Sequence, residues 1–305
     1  MADYWLKRAY SVLKRNLGES VVAGRSLAKE TTLGVGGPAS VFVTADAYEH
    51  LRIAFDAILD YDLPWFIIGK GSNLLVSDGG FNGVVVRLGR DFRLIEVSGS
   101  DIKAGAAAPL GMLVQAALRN SLGGLAFAVG IPGTIGGGVA GNAGAHGRSM
   151  GDVVRSATVY DPAKGLRHLD RSEMSFEYRK SSLGKNEVIL EVSLGLHSQD
   201  GELIEMDMER FFRRRKESQP LHYPSAGSAF KNPPGDSAGR LIEEAGCKGL
   251  VMGGAMVSEK HANFIVNAGG ATATDVYKLM LEVQRRVEET SGVVLEPEIK
   301  LLGEF

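Results

Sequence analysis

Apolar positions follow two spacings along the chain, one helical and one close to two. Trp5, Ala9, Val12 and Leu13 recur at helical spacing and predict a helix over 3–16. Tyr48, Leu51, Ala54, Phe55 and Leu59 mark one face of a second helix, with Asp46 placed to cap it and Pro64 to stop it. A third helix is predicted from Pro109 to about Asn120, on Leu113, Val114, Ala117 and Leu118. A long one is predicted from Thr274 to Ser291, on Val276, Leu279, Met280, Val283 and Val287, with Gly292 just past its end. Short apolar runs predict strands at 65–69, 83–88, 153–161, 166–170, 187–197, 253–258 and 263–267. Gly99-Ser100 joins 93–98 to 101–106 as a hairpin. Residues 209–218 read as the basic end of a helix, and Asp236 or Ser237 as the cap of a short helix holding Leu241, Ile242 and Ala245. Segments 31–40, 69–73 and 224–235 are predicted as loops, because Gly, Pro, Ser and Asn break any periodicity there.

These changes of character predict a helical extension over 1–29, a β-rich unit with one helix over 30–91, an α+β unit over 92–200, and a last unit over 201–305. Length alone, 305 residues at about 150 per domain, leaves open two domains or one large one with an insertion.

Charge and cysteine narrow the function. The net charge is −2, so the chain lacks the basic footprint of a nucleic-acid binder. The one cysteine, Cys247, cannot form an internal disulfide or a cysteine-rich metal site, and suits a reducing cytoplasm better than secretion. The opening MADYWLKRAYSVLKRNLG is interrupted by Lys and Arg and has no apolar core, unlike a signal peptide. From Asn120 to Gly147 no charged residue occurs, but 122–140 contains seven glycines and Pro132. Each glycine costs a helix interior up to about 1 kcal/mol and a proline about 3 kcal/mol, so this stretch is not read as a membrane span.

Glycine is the unusual residue, 40 of 305, against an average of about 7%. Eleven lie between Ser121 and Asp152, with further clusters at 34–37 and 69–71. Tight turns would explain any one cluster. Three together suggest main chain brought close to phosphates or a flat ring, where a Cβ would block approach. The spacing GIPGTIGGG at 130–138 is not that of a Rossmann fingerprint, and no P-loop pattern occurs. The six histidines show no paired zinc spacing, so no metal site is predicted. Ser228 to Lys231 spells S-x-x-K, as in β-lactamases, but Pro233 and Pro234 prevent the helix that such a nucleophile needs. FEYRKSSL at 176–183 reads from composition as a solvated turn, and Glu296 and Glu298 as carboxylates on one face of an extended segment.

Taken in order, TTLGVGGPA (31–39), GKGSNLLVSDGGFNGVVVRL (69–88), GIPGTIGGGVAGNAGAHG (130–147), FEYRKSSL, PSAGSAFKNP (224–233) and SEKHANFIVN (258–267) closely resemble the motifs of the UDP-N-acetylenolpyruvoylglucosamine reductase family, in its shorter second type. The match runs from about Thr31 to Gly303. The resemblance implies an α+β chain with a two-subdomain FAD-binding fold of the vanillyl-alcohol-oxidase-like type and a C-terminal α/β domain that binds a UDP-sugar. It implies a cytoplasmic, monomeric enzyme of peptidoglycan synthesis that reduces UDP-N-acetylglucosamine enolpyruvate to UDP-N-acetylmuramate with NADPH. FAD would be held non-covalently and pass a hydride from its N5 to the substrate.

Carried onto matching positions, the resemblance makes Arg179 the holder of the substrate carboxylate and Ser228 the proton donor to the carbanion. Glu298, protonated or sharing a proton, would hydrogen-bond the same developing charge. It assigns Gly36, Gly37, Gly69, Gly71, Ser72, Asn73, Gly130, Gly133, Thr134, Gly136, Asn142 and Gly144 to FAD. Tyr178, Lys231 and Asn232 are assigned to substrate, and Lys260 and His261 to its diphosphate. The run Arg213-Arg214-Arg215-Lys216 either faces the UDP group or forms a solvated helix face. Another FAD oxidoreductase of the same fold would bind flavin without being reoxidised by the UDP-sugar. A flavin-binding paralogue without activity would lack one of Arg179, Ser228 and Glu298, all of which are present.

Overall fold

The computed structural model describes residues 2–184 and 186–305. Two units emerge, each assembled from three pieces of chain. Unit one takes the residues up to Ala23, Val41–Gly69 and Gly83–Arg215, and unit two takes Gly24–Ser40, Lys70–Asn82 and Lys216–Phe305.

In unit one, α1 (Ala2–Leu17) and α2 (Tyr48–Asp60) share a core with those parts of the strands Val21–Ser26, Pro38–Ala45, Phe81–Leu88 and Trp65–Ile67, paired in that order, that fall within the residues up to Ala23, Val41–Gly69 and Gly83–Arg215. Val41, Val43 and Ala45, like Val84, Val86 and Leu88, are alternate residues, and they join Leu13 of α1 and Leu51, Phe55 and Ile58 of α2 in that core. A second, antiparallel sheet runs Gly165–Asp170, Val154–Asp161, Val188–Gly195, Asp101–Gly105, Ile95–Ser98. Its Ser98–Asp101 pair is closed by the predicted Gly99-Ser100 turn. Helix α3 (Leu110–Arg119) buries Leu110, Leu113, Val114 and Ala117.

One sequence expectation needs correction here. Asp46 does not cap α2, whose N-cap is Ala47; its Oδ1 accepts the Arg90 amide at 2.9 Å and so orders the following turn. Within the uncharged glycine stretch a short helix forms, α4 (Ile135–Ala140), with Thr134 Oγ1 accepting the Gly137 amide. Helix α5 (Gly201–Ser218) then carries the basic run, and buries only Ile204 and Met208.

Unit two has one core drawn from all three of its pieces: Leu33 and Val35, then Leu75, then residues between Ala226 and Ile299. Its antiparallel sheet runs Ser225–Ser228, Phe264–Asn267, Ala255–Val257, Val251–Met252. Helices α6 (Ala238–Glu244) and α7 (Ala273–Ser291) contribute to the core, and α7 buries the predicted stripe from Val276 to Val287. Gly292, at φ 71°, ends α7 in the left-handed conformation that glycine adopts without strain. At the other end, Asp78 accepts the amides of Ala273 (2.8 Å) and Thr274 (2.9 Å) and the Thr274 hydroxyl (2.6 Å). Burial pushes the Asp78 carboxyl up, but these hydrogen bonds outweigh it and leave it below its ordinary range. Lys300–Leu302 pairs in parallel with Leu74–Val76. The predicted 224–235 loop contains a strand, Ser225–Ser228, with a register shift inside it and Gly227 at φ 80°.

Candidate active site

Arg179 stands at the tip of a two-residue hairpin in unit one, where Glu177 pairs with Lys180. Its φ of 56° is left-handed, a conformation that costs a side-chain-bearing residue about 1–2 kcal/mol. That cost is held by surrounding bonds. Arg179 Nη1 donates to the Gly144 carbonyl at 2.8 Å, and Ser181 Oγ donates to the Ala140 carbonyl at 3.0 Å. Asn142, assigned from the sequence to FAD, is buried with φ 43° and directs both ends of its amide inward. Nδ2 donates to the Glu177 carbonyl at 2.8 Å and Oδ1 accepts the Gly151 amide at 2.9 Å. It therefore braces the turn that presents Arg179. Tyr178 is exposed, and the Arg179 guanidinium lies 5.6 Å from its ring centre.

Ser228 and Glu298 belong to unit two, on one scaffold. Ser228 ends the strand that pairs with Phe264. Immediately after it, Ala229 accepts the Glu298 amide at 2.8 Å and donates to the Asn263 carbonyl at 2.8 Å. The Asn263 amide closes on both sides of Phe230, accepting its N–H at 2.9 Å and donating to its carbonyl at 2.7 Å. Asn73 Nδ2 donates to the Glu298 carbonyl at 3.1 Å. The serine and the glutamate thus sit on two adjacent, mutually bonded segments. Glu296 has a different role, because Lys231 engages its carboxylate. Asn232 Oδ1 accepts the Ala238 amide at 3.0 Å, at the start of α6. Lys260 Nζ donates to the Lys216 carbonyl at 2.6 Å. His261 Nδ1 accepts the Asn263 amide at 3.2 Å, and burial, ahead of the Lys248 charge, lowers the pKa of this imidazole.

The glycine loops explain themselves partly through the chain's own contacts. A Cβ on Gly36 would lie 2.7 Å from Val76 Cβ, on Gly37 2.2 Å from the Asp78 carbonyl, and on Gly71 2.3 Å from the Glu30 carbonyl. In unit one the same holds for Gly69 against Thr134 Oγ1 (2.7 Å), Gly136 against Ala106 (2.7 Å) and Gly144 against the Arg148 carbonyl (2.5 Å). Ligand approach is therefore not needed to account for these missing side chains. Within these loops Gly36, Gly37, Gly69, Ser72, Gly133 and Thr134 are half-buried and Asn73 and Gly130 exposed, whereas Gly71 and Gly136 are buried. The absence of any acidic side chain between Asn120 and Gly147 leaves this stretch without charge repulsion toward the pyrophosphate of a flavin nucleotide.

Sequence reasoning missed the bracing by Asn142 and the hold of Asp78 on α7. Positive φ at an asparagine leaves no mark in hydropathy, and an acceptor 195 residues from its donor has no sequence spacing to betray it.

Comparison with known proteins identifies the family. Residues 39–169 match the FAD binding domain family, and 219–302 match the C-terminal domain of UDP-N-acetylenolpyruvoylglucosamine reductase. UDP-N-acetylenolpyruvoylglucosamine reductase 2 of Symbiobacterium thermophilum is 48% identical, over 91% of this chain and 90% of its own. The reductase of Caldanaerobacter subterraneus subsp. tengcongensis is 43% identical over the whole of both chains. The crystal structure of UDP-N-acetylenolpyruvylglucosamine reductase from Thermus caldophilus is 41% identical and superposes with a TM-score of 0.80, covering 93% of this chain and 98% of that one. A glucose dehydrogenase, Phl p 4.0202, shares the fold alone, at 14% identity and a TM-score of 0.50 over 64% of this chain and 44% of its own. The chain belongs to the UDP-N-acetylenolpyruvoylglucosamine reductase family, as an FAD-dependent oxidoreductase with that family's C-terminal domain.

Proposed function

We propose that this reductase takes its electrons from NADPH and converts UDP-N-acetylglucosamine enolpyruvate to UDP-N-acetylmuramate, with Arg179, Ser228 and Glu298 as its catalytic residues. Bound FAD would supply hydride transfer from the nicotinamide to the methylene carbon of the enolpyruvyl group. Gly36, Gly37, Gly69, Ser72, Asn73, Gly130, Gly133 and Thr134 hold it through main chain and short polar groups, with Gly71, Gly136, Asn142 and Gly144 shaping those loops. Arg179 grips the substrate carboxylate, where a planar fork suits two oxygens. Negative charge grows on the carbon beside that carboxylate. Ser228 gives this carbon its proton, and Glu298, bringing a proton of its own, hydrogen-bonds the same charge. Tyr178, Lys231 and Asn232 line the substrate, and Lys260 and His261 lie toward its diphosphate.

The observation that carries this reading is the Ser228–Glu298 scaffold. Ser228 is fixed at a strand end, with the Glu298 main chain bonded to the very next residue. The same fact weakens the S-x-x-K reading, because Lys231 is not one helical turn from a serine on a strand, and it faces Glu296.

The test follows flavin absorbance in two half-reactions. The purified protein should be yellow, release flavin on acid precipitation, and oxidise NADPH only when the enolpyruvyl substrate is present. Ser228→Ala should leave flavin reduction by NADPH near normal and slow reoxidation by at least about 10²-fold, the low end for a lost positioned acid. Unchanged reoxidation would remove Ser228 from the mechanism. Equal slowing of both halves would make it structural. A colourless protein that gains no absorbance with added FAD would end the whole reading.

A further inference from the structure

Arg215 lies one helical turn beyond Phe211 on α5, within unit one. Phe211 stacks on His146, centroid to centroid 4.1 Å and 10° from parallel, which fixes this face of α5 against the turn between Gly144 and Ser149. The Arg215 stem covers Gly130, whose Cβ would come within 3.1 Å of Arg215 Cδ. Arg179 binds the Gly144 carbonyl of that same turn. The two guanidinium groups are near enough that Arg179 adds to burial in depressing the Arg215 pKa. Arg215 Nε is buried and has no hydrogen-bond partner among the described residues. Burial, and then the charges of Arg214, Arg210 and Arg215, likewise lower the His146 pKa, so the neighbourhood is cationic.

A buried guanidinium N–H without an acceptor, beside a second cation, is an unfavourable arrangement unless an anion completes it. We propose that Arg215 is a second guanidinium of the substrate-carboxylate site, so that the enolpyruvyl carboxylate bridges Arg179 and Arg215. This rests on the role given to Arg179 above. A carboxylate has two oxygens and can accept from two cations at once. During the reaction charge spreads into this carboxylate, so a second cation favours the charged state over the bound substrate. Of the basic run, Arg215 is the member whose Nε is withheld from solvent; Arg213 and Arg214 are exposed.

The test uses the FAD-loaded enzyme and the change in flavin absorbance on titration with two ligands. One is the enolpyruvyl substrate. The other is UDP-N-acetylglucosamine, which has the diphosphate but no carboxylate. Arg215→Met should weaken the enolpyruvyl substrate by about 10- to 100-fold, as expected for losing a hydrogen bond to a charged group, and UDP-N-acetylglucosamine by less than about 3-fold. Arg215→Lys should recover part of the loss. Unchanged substrate affinity overturns the proposal. Equal weakening of both ligands assigns Arg215 to the diphosphate and overturns it too. Loss of flavin or of cooperative unfolding in both variants assigns Arg215 to the fold, with the same consequence. If the wild-type enzyme shows no response to the enolpyruvyl substrate, it is the proposed function that fails, and this assignment falls with it.

Discussion

At the scale of single residues, glycine separates two demands that sequence alone merges. Gly71 and Gly99 both have φ 58°. Around Gly99 a Cβ would meet nothing within 4 Å, whereas at Gly71 it would lie 2.3 Å from the Glu30 carbonyl and 2.8 Å from Thr31 Cα. Gly99→Ala should therefore cost only the left-handed backbone penalty, about 1–2 kcal/mol. Gly71→Ala adds a collision with main chain that no rotamer relieves, and should cost about 2–5 kcal/mol in all. Denaturant midpoints of the two variants, read with their flavin content, check this. Flavin lost from Gly71→Ala at a wild-type midpoint would restore ligand approach as the reason for the glycine. The clusters were legible in the sequence, but the object they approach was not, because a missing Cβ records closeness without naming the neighbour.

At the scale of elements, legibility followed locality. The stripe on α7, the buried face of α3 and the Gly99-Ser100 hairpin depend on neighbours in sequence, and they formed as predicted. Strands Val21–Ser26 and Pro38–Ala45 depend on distant partners and lack clean alternation, so they were missed. Asp46 looked like a cap because capping is local, yet its real partner is Arg90. Asp78 shows the same principle from the other side, since it holds the first amides of α7 from 195 residues away. Asp78→Ala removes those acceptors and should destabilise the protein by about 1–2 kcal/mol, as for a lost helix N-terminal acceptor. Its hydrogen-bonded carboxyl titrates below the ordinary range, so this contribution is complete above the unfolded-state pKa, about 4 for aspartate, and is lost as pH falls through the lowered value. The gap between wild-type and Asp78→Ala midpoints should then close in acid. A gap that is constant from neutral to acid pH would mean that the ionised carboxylate is not what holds the helix.

At the scale of the whole molecule, the chain order hides the working units. The three proposed catalytic residues are divided between them, with Arg179 in unit one and Ser228 and Glu298 in unit two. Unit two is also not the contiguous C-terminal third that hydropathy suggests. Its core needs Leu33 and Val35 from one piece and Leu75 from another, and its strand Lys300–Leu302 has its parallel partner in Leu74–Val76. A chain of 216–305 alone would lack those three core side chains, that strand and Asp78. Each deleted core side chain costs about 2 kcal/mol or more, so together they approach the whole stability of a domain, about 5–15 kcal/mol. The 216–305 fragment should therefore show no cooperative thermal transition by circular dichroism, although family similarity covers 219–302 as a contiguous domain. The full chain, measured alongside, should unfold cooperatively. A sharp transition in the fragment would show instead that the sheet from Ser225 to Asn267, with α6 and α7, closes its own core, and that Leu33, Val35 and Leu75 only line its surface.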